Sequence, residues 1–155
     1  MARKPVFEGV NVLDLGWWIA WPLAPKHLAD FGAKVVRIER GMAPVERRWG
    51  PYKDGKYGLN RSGYFNEYNT SKYSVTLDLK KPKGYEVARK LVEWADVVGE
   101  GFTPGTTADW GLDYESCRKI KPDIIYVSSS GQGQAGPDAR TPLYGHAALA
   151  LSGLD

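Results

Sequence analysis

The chain has 155 residues, 43% hydrophobic and 25% charged, which is typical of one globular domain and excludes an extensively disordered protein. Its formal net charge of +3, from Lys and Arg scattered along the sequence, is too small to predict nucleic-acid binding. Neither a signal-peptide pattern nor a run of about eighteen apolar residues occurs, so we expect neither secretion nor a membrane span.

The first predicted elements form one βαβ unit. Val10 to Leu15 is a short apolar run, and Lys34 to Ile38 is a β-branched run typical of a buried strand. Pro22 suits the first turn of the helix between them. At helical spacing, the predicted core-facing stripe of this helix is Leu23, His27, Leu28 and Phe31. Because parallel strands need such a crossover, the sequence predicts an α/β fold with an open, mainly parallel, Rossmann-like sheet and helices on both faces.

Residues 41–70 are long for a connector and rich in basic and aromatic side chains. Segments of this length are often functional or pack against another surface, although a solvated loop also fits the composition. The remaining predicted elements are strands at 74–79, 97–98 and 124–128, a helix from Pro82, a short helix from Asp113 to Ile120, and a last helix in 143–154 without a stop signal.

Three glycines follow the predicted strand 124–128 in the spacing G-x-G-x-x-G. Gly131, Gly133 and Gly136 match a dinucleotide-binding fingerprint, but Pro137 comes next and the helix begins several residues later. The pattern therefore favours a flexible loop at the mouth of the sheet, and we expect no NAD cofactor.

Few residues suit metal or nucleophile chemistry. His27 lies on the predicted core-facing stripe, and His146 is a candidate for substrate contact. Neither pairs with cysteine or carboxylate at metal-ligand spacing, so no metal site is predicted. Cys117, the only cysteine, excludes an internal disulfide, is interpreted as core packing, and indicates a reducing, cytoplasmic location.

The order of several sequence blocks resembles the class III CoA-transferases, the family that includes formyl-CoA and carnitine CoA-transferases. The blocks cover nearly the whole chain: GVNVLDL (9–15), A-x-P (20–22), LADFGAKVVRIER (28–40), NTSKYSVTLDLKKPKG (69–84), ADVVGEGFTPG (95–105), WGLDYE (110–115), KPDIIYVSSSGQGQAGP (121–137) and ALSGL (150–154). The resemblance implies an enzyme that moves coenzyme A from an acyl-CoA to a carboxylic acid, in which two longer chains interlock. Residues 1–155 would then be the N-terminal part of the large domain.

The resemblance also implies which residues contact coenzyme A. Ala20 matches the family's alanine beside the CoA, and Arg40 matches the basic residue near the adenine. Asn69 and Lys72 fall in an N-x-x-K block that reaches the phosphates. The other matching positions are Phe102, which borders the pantetheine arm with Pro104 and Gly105, and Gly131 and Gly133, in a loop that closes over the thioester.

Three features depart from the family pattern. Gly101 stands where asparagine is usual, and residues 108–110 lack an arginine that many members have. The catalytic aspartate of the family lies seven residues before the serine of the S-G-L block, and here that position is Gly145. In the family this aspartate attacks the donor thioester and forms a mixed anhydride. His146 is adjacent to position 145, but an imidazole would form an acyl-imidazole instead.

The resemblance and these departures together imply a CoA-transferase subunit without a nucleophile that works beside an aspartate-bearing partner, by analogy with the two-subunit benzylsuccinate CoA-transferases of this family. One alternative is a competent enzyme that uses another carboxylate, such as Asp155. Others are a structural or regulatory subunit without CoA affinity, and an NAD-dependent oxidoreductase using the glycine loop. Trp17, Trp18 and Trp21 either line a pocket for a bulky acyl group or pack in the core or a subunit interface.

Overall fold

A computed structural model describes residues 4–41 and 45–154. Five parallel strands form one sheet in the order β3-β2-β1-β4-β5. The strands are β1 (Asn11–Asp14), β2 (Lys34–Glu39), β3 (Tyr73–Thr76), β4 (Val97–Glu100) and β5 (Ile125–Ser128). The helices are α1 (Ala20–Asp30), α2 (Gly63–Tyr68), α3 (Pro82–Trp94), α4 (Tyr114–Ile120) and α5 (Gly145–Ser152). No helix in these described ranges is long and apolar enough to cross a bilayer.

Helices cover both faces of the sheet, as the sequence predicts. Successive side chains of a strand point to opposite faces. Val12 packs in a cluster with Ala29 and Ala33 at the end of α1, whereas Leu13 packs in a larger cluster with Ala88 and Val92 of α3. Cys117 of α4 is fully buried in this larger cluster and its thiol donates to the Leu112 carbonyl, so its interpretation as core packing is confirmed.

The stripe predicted for α1 is wrong in phase. Leu23, His27 and Phe31 are exposed, and Leu28 is half-buried. The buried residues of this helix are Trp21, Pro22, Pro25 and Ala29. His27 is therefore a surface residue rather than a packed core histidine.

Packing of the Trp21 indole determines which face of α1 is buried. The indole lies over Gly16 and Gly99, where an added Cβ would overlap the ring, and an added Cβ on Gly101 would press against the Trp21 Cβ at 3.0 Å. The side chain is 4% exposed. Trp21 therefore packs in a glycine-lined slot between the ends of β1 and β4, and its interpretation as core is confirmed.

The long segment after β2 is packed against the sheet and is not a simple solvated loop. It contains a 3-10 turn at Val45–Arg48 and then α2, whose first turn is capped by Ser62. The Ser62 hydroxyl accepts from the amide of Phe65 at 3.0 Å and donates to the Trp49 carbonyl at 2.6 Å. Glu46, Ser62 and Phe65 are all buried.

Among the boundaries that differ from the predicted ones, two have a clear local cause. Strand β3 ends at Thr76, because residues 77–81 turn back on themselves: the Asp78 carboxylate accepts from the Lys80 amide at 3.1 Å and its carbonyl accepts from the Lys81 amide at 3.0 Å. The last helix does have a stop, since Gly153 takes the left-handed conformation (φ 74°) that ends α5.

Candidate functional site

The sheet has one position where the strand order reverses, between β1 and β4. In open parallel sheets, ligands bind in the crevice outside the carboxyl ends of the strands at this position. Here the loops after β1, β4 and β5 meet, and they carry most of the aromatic side chains discussed below. The candidate site is therefore at this edge.

A cluster of three aromatic rings occupies the middle of the edge. Phe102 lies edge-on to Trp17 and to Trp110, with ring centroids 5.0 and 5.1 Å apart. The Trp17 and Trp110 rings are 6.3 Å apart. This cluster borders a cavity on each side, because Trp17 and Trp110 line one and Phe102 lines the other.

The first cavity is a basic groove along the ends of β1, β2 and β3. Its outer part is an open cleft of about 1360 Å³, open solvent included, and it shares Arg40, Lys80 and Trp110 with an inner end of about 400 Å³. Its cations are Arg40, Lys80 and Lys81, and its apolar walls are Leu15, Trp17, Ile38, Leu77, Leu79, Tyr85 and Trp110.

Two carboxylates also lie on the basic groove. That of Asp78 is engaged by the Lys80 amide, whereas Asp109 is exposed at the outer part. Arg40 and Lys80 are exposed. With three cations and two acids, the groove suits an anion that carries apolar or aromatic groups.

The second cavity lies beyond Phe102 and is an open pocket of about 660 Å³, open solvent included. We call it the uncharged pocket, because none of its lining residues is ionic at neutral pH. The lining consists of Trp18, Gly101, Phe102, Thr103, Ser130, Gly131, Ala139, Thr141, Pro142, Leu143 and Tyr144.

Asn69 and Lys72 lie beneath the edge of the sheet that carries the two cavities. The Lys72 ammonium donates to the Asp14 carboxylate at 2.9 Å, to the Pro22 carbonyl at 2.7 Å and to the Asn69 side chain at 3.1 Å. The Lys72 side chain is 1% exposed. Burial lowers the pKa of Lys72, and the Asp14 carboxylate opposes that shift. In this conformation the ammonium's donors are directed at protein acceptors.

Asp14 connects Lys72 to a buried guanidinium. Arg37 lies 3.7 Å from the Asp14 carboxylate, pairs with Glu46, and donates to the Gly16 carbonyl at 2.8 Å. The side chains of Arg37 and Glu46 are each 1% exposed. This network fixes the backbone immediately before Trp17 and Trp18.

Glu39 extends the network to the segment after β2. Its carboxylate accepts two hydrogen bonds of 2.7 Å from Arg47 and one of 2.7 Å from Ser74. Burial raises the pKa of Glu39, but the Arg47 and Ser74 bonds outweigh burial and the net shift is downward. The Arg47 guanidinium also lies 3.6 Å from the ring centre of Phe65. Charge pairing thus anchors this segment to the sheet.

Gly145 begins α5, directly after Tyr144 of the uncharged pocket. A Cβ added at Gly145 would meet no atom within 4 Å. His146 is exposed and does not line the pocket. Asp155 lies outside the described residues.

The structure brings some predicted residues together and separates others. Arg40 lines the basic groove, Phe102 and Gly131 line the uncharged pocket, and Gly133 lies in the adjoining loop with φ 81°. Ala20 is exposed at the start of α1. The Asn69–Lys72 pair is beneath the edge. No cluster of His, Cys, Asp and Glu that could hold a metal occurs in the described part of the chain.

Sequence reasoning missed Lys80, Lys81, Trp110 and Tyr144 as lining residues. The signal for the two lysines was present, since they follow a predicted strand and the carboxyl ends of parallel strands share one edge. Trp110 and Tyr144 had no comparable signal, because their place depends on how two loops fold back over that edge.

The family model for CoA-transferase family III matches residues 7–155. Succinyl-CoA:glutarate CoA-transferase from Mus musculus is 40% identical over 154 residues, covering 99% of this chain and 34% of that protein. The succinyl-CoA–L-malate CoA-transferase alpha subunit from Chloroflexus aurantiacus is 36% identical, covering 95% of this chain and 34% of that protein. A CAIB/BAIF family protein from Brucella suis superposes with a TM-score of 0.89 at 34% identity, covering 97% of this chain and 40% of that one. The chain spans between a third and two fifths of these proteins.

Proposed function

The chain belongs to CoA-transferase family III, and on that premise we propose that it is the CoA-binding, N-terminal portion of a CoA-transferase subunit that lacks the nucleophilic carboxylate. The enzyme transfers coenzyme A from an acyl-CoA to a free carboxylic acid. The mouse and Chloroflexus relatives, both named as CoA-transferases, support the reaction class.

The observation that carries the proposal is the pair of cavities on either side of the aromatic cluster. Coenzyme A has a phosphate-bearing nucleotide at one end and a thioester at the other, joined by a largely neutral arm. The basic groove suits the nucleotide, with Arg40 and Lys80 as phosphate partners and Trp17 and Trp110 as flat surfaces for adenine. The uncharged pocket suits the acyl thioester, and the arm passes Phe102.

The predicted roles of Asn69 and Lys72 are supported less directly. Their hydrogen bonds favour a positioning role: by holding Asp14, they support the turn that presents Trp17 and Trp18. Contact between Lys72 and a phosphate stays a prediction. Gly131 and Gly133 keep their proposed place beside the thioester, since Gly131 lines the uncharged pocket.

Transfer in this family depends on a carboxylate. It attacks the thioester carbonyl, the carbon–sulfur bond breaks, and an acyl–enzyme anhydride forms as the CoA thiolate leaves. The thiolate then attacks the enzyme carbonyl of the anhydride, releasing the donor acid and leaving an enzyme thioester for the acceptor acid. Gly145 has no side chain to begin this sequence.

We therefore propose that a partner subunit supplies the nucleophile. The Chloroflexus relative is itself named as an alpha subunit, which supports an assembly of unlike chains. Asp109, an acid on the basic groove, is the feature that favours the second candidate, a structural subunit without CoA affinity.

A calorimetric titration of coenzyme A separates these two functions. We expect the wild-type chain to bind, and Lys80→Ala to weaken binding about tenfold because one charge-assisted phosphate contact is lost. Lys90→Ala is the matched control, since Lys90 is exposed on α3 and pairs only with Glu86 among the described residues. A chain that is folded by circular dichroism and binds no coenzyme A would favour the structural subunit.

A further inference from the structure

We propose that Arg140 binds the diphosphate of coenzyme A, in a third cleft that joins the basic groove to the uncharged pocket. This inference rests on the proposed function, because it assumes that the adenosine end of coenzyme A occupies the basic groove and the thioester occupies the uncharged pocket. It adds a binding residue that the CoA-binding proposal does not contain.

The third cleft, which we call the Arg140 cleft, lies against the loop after β4. It shares Thr106 and Asp109 with the outer part of the basic groove, and Thr103 with the uncharged pocket. Its volume is about 590 Å³, open solvent included. The complete lining is Thr103, Pro104, Gly105, Thr106, Asp109 and Arg140. The cleft therefore lies between the two cavities, and the three spaces form one path along this edge of the sheet.

The chemical order of coenzyme A matches the order of these three spaces. Its diphosphate stands between the phosphorylated adenosine and the neutral arm that ends in the thioester. The arm passes Phe102, and the residues that follow Phe102 in the chain line the Arg140 cleft. Adenosine in the groove and a thioester in the pocket thus place the diphosphate at this cleft, where it needs a cationic partner.

Arg140 reaches the cleft from the segment that follows the glycine loop. Ala139 and Thr141 line the uncharged pocket, whereas Arg140, between them, lines the cleft, so this segment separates the two spaces. A turn holds the segment in place, because the Thr141 amide donates to the Asp138 carbonyl at 2.8 Å and Ala139 is buried. An added Cβ on Gly105 would lie 3.7 Å from Nη2 of Arg140, so the guanidinium lies against the loop after β4.

The Arg140 guanidinium is free to bind an anion. Within residues 4–41 and 45–154 it takes part in no salt bridge. An arginine presents its donors in a planar fork that binds two phosphate oxygens at once. The hydroxyl oxygens of Thr103 and Thr106, 3.4 Å apart, belong to the same cleft, and a hydroxyl donates to a phosphate oxygen. The cleft thus combines a cation with two neutral donors.

Asp109 is the other charged residue of the cleft, and its carboxylate opposes anion binding. It is exposed and lines both the cleft and the outer part of the basic groove. A like charge near a bound phosphate weakens binding through Coulomb repulsion. Asp109 lies in the stretch 108–110 that lacks the arginine of many relatives, so Arg140 supplies from another segment a positive charge that this stretch does not. The two residues should therefore have opposite effects on the same ligand.

The test is a set of calorimetric titrations of coenzyme A and 3′-dephospho-coenzyme A into the purified chain. Arg140→Ala should weaken the binding of both ligands about fivefold, because both carry the diphosphate. Asp109→Asn should strengthen the binding of both about twofold, and a gain of affinity does not arise from misfolding. Arg118→Ala is the matched control, since Arg118 is exposed on α4 and pairs only with Glu115 among the described residues.

A third ligand, succinyl-CoA, separates the diphosphate from the other anionic groups that Arg140 could bind. Equal affinities of the wild-type chain and Arg140→Ala for coenzyme A would overturn the inference and leave the proposed function intact. A loss seen with coenzyme A but not with 3′-dephospho-coenzyme A would place Arg140 at the 3′-phosphate and overturn the inference. A loss confined to succinyl-CoA would place Arg140 at the acyl carboxylate and also overturn it. Failure of coenzyme A to bind the folded wild-type chain would overturn the proposed function, and this inference with it.

Discussion

Gly145→Asp is expected to give the chain a covalent acyl-enzyme or enzyme-thioester species that the wild-type chain does not form. Position 145 begins α5 beside Tyr144, and a new Cβ there meets no atom within 4 Å. An acidic residue is also favourable in the first turn of a helix. The substitution should therefore fold without strain and place a carboxylate next to the uncharged pocket.

The measurement is intact-protein mass spectrometry after incubation with an acyl-CoA, with hydroxylamine to release the adduct. Gly145→Asn is the matched control, because it has nearly the same shape without a nucleophilic carboxylate. An adduct on the wild-type chain would favour the alternative that another carboxylate, such as Asp155, is the nucleophile. No adduct on a Gly145→Asp chain that binds acyl-CoA normally would contradict the position assigned to the thioester.

Arg37→Met is expected to lower the free energy of unfolding by about 3–5 kcal/mol, because the buried Glu46 carboxylate loses its cation, and Asp14 and Glu39 keep only Lys72 and Arg47 respectively. Arg37 pairs with Glu46 and lies within 4.0 Å of Asp14 and Glu39. All of these side chains are at most 4% exposed. Methionine keeps most of the volume, so the loss reflects charge rather than a cavity.

Urea unfolding followed by circular dichroism measures this difference. The control is Arg89→Met, which breaks an exposed pair with Glu93 on α3 and should cost less than about 0.5 kcal/mol. If Arg37→Met were as stable as this control, the network could not be what anchors the segment after β2. The turn that presents Trp17 would then need another support.

The architecture could be predicted because strand and crossover patterns are local. Most boundaries of the strands and helices were indicated by the β-branched runs and by Pro22, Pro82 and Gly32. The order of the sequence blocks then indicated the family. The predicted buried face of α1 was wrong, because the periodicity argument assigned the large apolar residues to the core. The glycines beneath Trp21 admit an indole, and that long-range fit determines which side of the helix is buried.

The site was predicted only in part, for a similar reason. The position of Gly145 and the exposed Arg40 follow from sequence order, whereas the partners of Lys72 do not. Asp14 lies 58 residues before Lys72, and no local pattern indicates that β1 and the start of β3 bring the two together. The groove formed by Lys80 and Trp110 likewise exists only once the turn after β3 and the loop after β4 are adjacent.

The most direct test of the central claim is amide hydrogen exchange of the chain with and without coenzyme A. Binding along the basic groove predicts slower exchange in residues 77–81 and 106–110, which form its walls. Lys80→Ala should reduce that protection at the same ligand concentration. Bound coenzyme A with protection confined to the glycine loop at 131–136, or with no protection in the groove, would contradict the account.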